Sequence, residues 1–196
     1  MCFPLRYIGS DADGILTFIQ DDAFDEAVKG VDAIQHTASP FHFNVTDPQE
    51  LINPAVAGTT SVLKSALKTG SSVKRVIVLS SCAAVQTSGL SEPKVFTEAD
   101  WNEAAIKEVE TKGKDTSPID AYMASKTLAE RAAWNWYEKN KSSVSWDLVT
   151  LQPPYVFGPI IHECKGLESL NTSAGLWFHM VLNKAAVADA KNLVDG

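Results

Sequence analysis

Cysteine is scarce in this chain of 196 residues, and the three present, Cys2, Cys82 and Cys164, are far apart and odd in number. That excludes a disulfide framework and favours a reducing compartment, so a cytoplasmic protein is expected. No CxxC pair and no Cys/His spacing of a zinc site occurs, and no metal is expected. Basic runs are missing too. The formal charge is −7 and the pI about 5.0, and Lys107, Lys112 and Lys114 are interrupted by glutamates, which reads as a solvated loop. Phosphate neutralisation needs clustered cations, so nucleic acid is excluded as a partner. No apolar run approaches the ~18 residues of a membrane span. The opening "MCFPLRYIGSDADGIL" lacks the basic-then-apolar order of a leader, and no membrane association is expected. Repeats and low-complexity tracts are absent. Finally, there is no GxGxxG or GxxGxxG, the turn whose backbone amides hold a pyrophosphate at a helix N-terminus.

What is present is a globular composition, 45% apolar and 21% charged, sufficient for one domain with a real core. Short apolar runs alternate with helical patterns. "GILTFI" (14–19), "VDAIQHTAS" (31–39), "KRVIVLSS" (74–81) and "WDLVTLQ" (146–152) read as strands. The uninterrupted run Val76 to Leu79 fits a strand buried on both faces of a parallel sheet. Between the strands, 21–30 reads as a short helix stopped by Gly30. Residues 47–70 read as a long helix that Pro54 should kink or split, and a third helix opens at Tyr122 and runs to about Asn140. Residues 86–118 are polar and read as irregular. Strand and helix in alternation imply an α/β fold with a parallel, doubly wound, Rossmann-like sheet. Ligands of such sheets bind at the carboxyl ends of the strands. That selects "HTASP" (36–40), "SSCAA" (80–84) and "QPPYVFGP" (152–159).

Ser81 ends the most apolar strand, where its hydroxyl can face a cleft or merely satisfy a backbone group. Tyr122 and Lys126, four apart on a helix, share a face. A phenol titrates near 10 when free, and a neighbouring ammonium favours the phenolate. A Tyr so tuned can exchange a proton with an alcohol or alkoxide, while a Ser hydroxyl holds the oxygen. YxxxK alone arises often by chance; the Ser, the forty-residue gap, YxxxK and a Pro-ended strand together are specific.

These residues resemble the extended short-chain dehydrogenase/reductases of the NAD-dependent epimerase/dehydratase superfamily. The likeness is to the branch of dihydroflavonol reductases, cinnamoyl-CoA reductases and fungal NADPH-dependent ketone, aldehyde and methylglyoxal reductases. It rests on "FDEAVKGVDAIQHTASPF" (24–41), "INPAVAGTTSVLKSA" (52–66), "VKRVIVLSSCAAV" (73–85), "YMASKTLAERAAW" (122–134), "LQPPYVFGP" (151–159) and "SLNTS" (169–173), and covers about 18–178. The resemblance implies reduction of a small-molecule ketone or aldehyde by NADPH, with NAD possible. Ser81 would polarise the carbonyl, Tyr122 would donate the proton, and Lys126 would lower the Tyr pKa and hold the nicotinamide ribose. Thr37, Ala38 and Ser39 would line the cofactor, Asp21 would meet the adenine edge, and Pro153 and Val156 would pack on the nicotinamide side. The family begins with a glycine-rich βαβ unit that has no counterpart here. Residues 182–196 do not resemble its C-terminal substrate lobe. The expectation is therefore one partial domain over 1–196, truncated at both ends by comparison with the family.

Two other activities stay open: a catalytically incompetent fragment of such a reductase, and an epimerase or dehydratase, which shares Ser, Tyr and Lys. Other residues read as structural. His36 is expected to be a buried, satisfied histidine, Cys82 a small core residue, and Ser80 structural. Glu98 and Asp100 fall in a solvated loop with Trp101 tucked inward, and Trp134 packs. The sequence sets no oligomeric state.

Overall fold

The computed structural model describes residues 20–39, 45–87, 90–161 and 164–182. The expected strand 14–19, Pro40 and Phe41 of "HTASPF", and the segment from 183 onward lie outside them. Two compact units arise, one of Met1–Thr87 with Phe96–Gln152, the other of Ser88–Val95 with Pro153–Gly196.

In the first unit three parallel strands pair in the order β1 (Ala33–His36), β2 (Arg75–Leu79) and β3 (Asp147–Leu151). Ile34, Val76 and Leu148 stand in one row across the sheet. Helix α1 (Gln49–Thr69) joins β1 to β2, and α2 (Glu103–Lys112) and α3 (Pro118–Asn140) lie between β2 and β3. Consecutive right-handed crossovers between neighbouring strands put their helices on the same face. The core follows: Val76, Val78 and Leu148 pack with Val62, Leu63 and Ala66 of α1 and with Ala133 and Tyr137 of α3. Tyr137 is flanked by Trp134 edge-on and by Trp146, and Trp146 stacks on Trp136 at 6.1 Å, so both tryptophans of α3 join this core.

Several local expectations need correction. Residues 21–30 form successive hydrogen-bonded turns rather than a helix. Asp22 takes a left-handed backbone (φ 71°), which interrupts helical bonding, although Phe24 and Val28 still bury four residues apart. Lys68 ties the segment to α1 through Asp22 and Asp25, each at 2.7 Å. Helix α1 runs through Pro54 without splitting. Pro54 falls in the second turn, where the carbonyl it leaves unpaired is close to the helix start, and its buried neighbours Leu51, Ile52 and Ala55 hold the turn by packing. Gly70 ends α1; a Cβ there would lie 2.7 Å from the Ala66 carbonyl oxygen and 2.9 Å from Val73 Cγ2.

The stretch 86–118 is not wholly irregular, since α2 forms within it and carries Lys107 and Lys112, with Lys112 paired to Glu108 at 2.5 Å. Helix α3 starts at Pro118, four residues before Tyr122. Ser117 caps it by accepting from the Asp120 amide at 3.1 Å, and Pro fits the first position because its missing N–H has no partner there. Strand β2 is buried on one face only: Val76 and Val78 are buried, Ile77 and Leu79 half-buried. Both crossovers cover the same side, and no described helix of this unit covers the other.

The amino end of the sheet is laced with charge. Lys74 pairs with Asp32 at 2.7 Å, and Arg75 grips both carboxylate oxygens of Asp147 at 2.8 and 2.6 Å. In the second unit, helix α4 (Thr172–Leu182) and residues 156–161 line an apolar groove of about 880 Å³. No helix among the described residues is long and apolar enough to cross a membrane.

Candidate active site

The carboxyl ends of β1 and β2 and the first half of α3 carry the residues singled out by the sequence. Ser81 follows β2 with extended backbone (φ −157°, ψ 153°) and is 9% exposed. It begins a 3-10 turn, Cys82–Ala84, and its Oγ accepts from the Ala83 amide at 3.2 Å. With one lone pair so engaged, its O–H is free to donate elsewhere. Ser80 is pinned through its amide, which donates to the Leu151 carbonyl at 2.8 Å.

Tyr122 and Lys126 sit one turn apart on α3, both half-buried, with Lys126 Nζ 5.6 Å from the centre of the Tyr122 ring. Lys126 has no carboxylate partner within 4.0 Å among the described residues, and burial pushes its ammonium down to about 8. The shift comes from desolvation, which disfavours the charged form. The turn after Ser81 packs on this helix: Thr127 Oγ1 donates to the Met123 carbonyl at 2.8 Å and lies 3.5 Å from that of Ala84. Ser125 Oγ donates to the Tyr122 carbonyl at 2.7 Å.

At the end of β1, His36 is 7% exposed and lies edge-on to Phe24. Burial, with the Lys126 charge adding to it, pushes its imidazole down to about 4, so it is neutral at pH 7. It is buried as expected but not satisfied, because its Nε2 has no hydrogen-bond partner among the described residues. Thr37 and Ala38 are exposed and Ser39 half-buried, with the Ser39 Oγ also buried and without a partner among the described residues; the same holds for Ser80 Oγ. Buried hydroxyls are normally satisfied. Two unsatisfied hydroxyls and an imidazole nitrogen at the ends of two adjacent strands therefore suit a polar group bound there.

Other residues are placed differently. Asp21 is exposed and paired to Lys64 at 2.6 Å, 43 residues away. Pro153 and Val156 belong to the second unit; Pro153 is half-buried, and Val156, 70% exposed, lines the apolar groove. Gln152, at the end of β3, donates to Glu130 at 2.6 Å and lies 3.2 Å from Thr150 Oγ1. Asp100 accepts from the Thr97 amide at 2.8 Å, and Trp101 is half-buried under the Arg131 guanidinium, 5.0 Å from the ring centre. Cys82 is a half-buried free thiol. Glu130, 3% exposed, and Asn102, 1% exposed, were not singled out from the sequence. For Asn102 the available signal was an Asn directly before the helical pattern of α2.

The family model described as NAD_binding_4, Male sterility protein, matches residues 14–188. The chain is 39% identical over 163 residues to the ketoreductase azaE of Aspergillus niger, covering 79% of this chain and 44% of that protein. It is 38% identical over 160 residues to the NADPH-dependent methylglyoxal reductase GRE2 of Saccharomyces cerevisiae, covering 80% and 45%. Among solved structures, yeast methylglyoxal/isovaleraldehyde reductase Gre2 complexed with NADPH superposes with a TM-score of 0.71 at 36% identity, over 83% of this chain and 48% of that one. The chain spans about half the length of the curated relatives it matches. Sheet order, strand-end residues and these likenesses agree: the chain belongs to the NAD_binding_4 (Male sterility protein) family, with the Rossmann-like fold of the extended short-chain reductases and on the branch of the fungal ketone and methylglyoxal reductases.

Proposed function

We propose that this chain carries the catalytic half of an NADPH-dependent carbonyl reductase acting on a small ketone or aldehyde in the cytoplasm. The observation that carries this is the pairing of Tyr122 and Lys126 on α3, with Ser81 on a turn packed against the same helix. The orphaned Ser39 hydroxyl and its neighbours Thr37 and Ala38 suit the phosphates and ribose of a dinucleotide, and Lys126 suits the nicotinamide ribose. Asp21, exposed and with one carboxylate oxygen on Lys64, would meet the adenine edge. When bound, NADPH supplies a hydride to the carbonyl carbon.

The chain's own groups do the rest. Ser81, its Oγ already accepting from Ala83, donates to the substrate oxygen and polarises it. As negative charge develops on that oxygen, Tyr122 gives it the phenolic proton, and the alcohol forms. The phenolate left behind is favoured by the Lys126 ammonium and regains its proton from solvent.

The test is a calorimetric titration of the 196-residue chain with NADPH, followed by turnover of ketones and aldehydes. Micromolar binding and consumption of NADPH are expected, and Tyr122→Phe should lower kcat by about 10²-fold or more with the fold unchanged. Unchanged turnover in that variant refutes the assignment. No binding at millimolar NADPH would favour the alternative, a chain that keeps these side chains but performs no reaction; the missing glycine-rich turn is what raises it.

A further inference from the structure

Asn102 is more deeply buried than Ser81, Tyr122 or Lys126, yet it lies in a stretch rich in solvent-exposed polar residues. Its Oδ1 accepts from the Ala105 amide at 3.1 Å and so caps α2. A Ser, Thr or Asp would cap as well. The other half of the amide does something a cap does not require. Its Nδ2 donates to the Ala83 carbonyl at 3.1 Å and lies 3.6 Å from the sulfur of Met123, the residue after Tyr122. The Asn102 backbone amide donates to the Ala84 carbonyl at 2.9 Å. Two consecutive carbonyls of the turn that follows Ser81 are thus taken by one residue. Ala83 is held from both sides, its carbonyl by Asn102 and its amide by Ser81 Oγ.

We propose that Asn102 is a positioning residue for the catalytic pair. It clamps the 82–84 turn so that the Ala83 amide stays on Ser81 Oγ and the serine proton points outward, and it touches α3 beside Tyr122, setting the turn against the helix. The contribution to catalysis rests on the reductase assignment; the clamp itself does not. Only Asn meets both demands at this size, since Asp would turn an acceptor toward the Ala83 carbonyl and Ser would lack the second donor.

The variants Asn102→Ser and Asn102→Asp keep the cap on α2 and remove the donor to Ala83. Residue-resolved amide hydrogen exchange is measured on both, with steady-state kinetics in NADPH and a small aldehyde. The expected result is at least tenfold faster exchange at Ala83 with Ala105 unchanged, and a kcat at least tenfold lower with the KM for NADPH within twofold of the native value. Ala83 exchange equal to the native protein in a folded variant overturns the clamp. Faster Ala83 exchange with native kcat overturns its role in catalysis. Should Asn102→Asp fail to fold, Asn102→Ser decides, as it introduces no charge. Tyr122→Phe is run alongside, so that native turnover surviving that change exposes a failure of the reductase assignment, while the exchange data still decide the clamp.

Discussion

The chemistry of Lys126 is set by where it sits. Its charge is removed from water without a carboxylate among the described residues to replace the lost hydration, so its pKa falls from 10.5 to about 8. The ammonium is still the main form at pH 7, but it is lost across the range just above. In the proposed reaction that charge would favour the Tyr122 phenolate, so kcat/KM should fall as pH rises through about 8. Lys126→Arg, whose guanidinium keeps its proton throughout, should lose that limb of the profile even if it is slower overall. A limb that persists in Lys126→Arg would assign it to another group. At this scale the sequence was most legible in placement: Tyr122 and Lys126 share a face of α3 as their four-residue spacing implies, and Ser81 stands at the end of β2. The missed residues, Asn102 and Glu130, act through burial. Polar side chains in a polar stretch give no sign of which one the fold will turn inward.

At the scale of elements, the long strongly patterned segments were recovered, α1 and β3 to within two residues at each end, while the start of α3 was not. Helix α3 begins a full turn before Tyr122 because Ser117 and Pro118 form a better start than the apolar periodicity alone suggests. The cap supplies a partner for one of the four N–H groups a helix start leaves open. Ser117→Ala should therefore cost about 1 kcal/mol of unfolding free energy, measured by urea denaturation. Segment 21–30 failed as a helix through one residue: Phe24 and Val28 have helical spacing, but the left-handed backbone of Asp22 and the ties from Asp22 and Asp25 to Lys68 favour turns. Strand β2 was read as buried on both faces from its unbroken apolar run. Sequence does not disclose which face of a sheet its crossovers will cover, and here both cover the same one.

For the whole molecule, the parallel α/β architecture was legible because alternating strand and helix patterns permit few other arrangements. Its stability should depend on acid through His36. The folded pKa of about 4 is below the unfolded 6.5, so the stabilisation is complete above pH 6.5 and is lost as pH falls through 4. That amounts to as much as about 3 kcal/mol. His36→Phe, facing Phe24 without a titrating group, should lose less stability between pH 7 and pH 4.5 in paired urea melts. An equal loss in both proteins would place the acid lability elsewhere.

The charge lacing at the amino end of the sheet has a consequence at the other end. Parallel strands can slide by two residues and keep the same faces inward, a step of about 6.6 Å. Arg75 meets both oxygens of Asp147 in one alignment only; a two-residue slide would set it opposite Ser145 or Val149. The fork therefore works as an index mark for the strands, and the height at which β2 delivers Ser81 beside the end of β3 is calibrated by a pair of charges at the opposite end of the sheet.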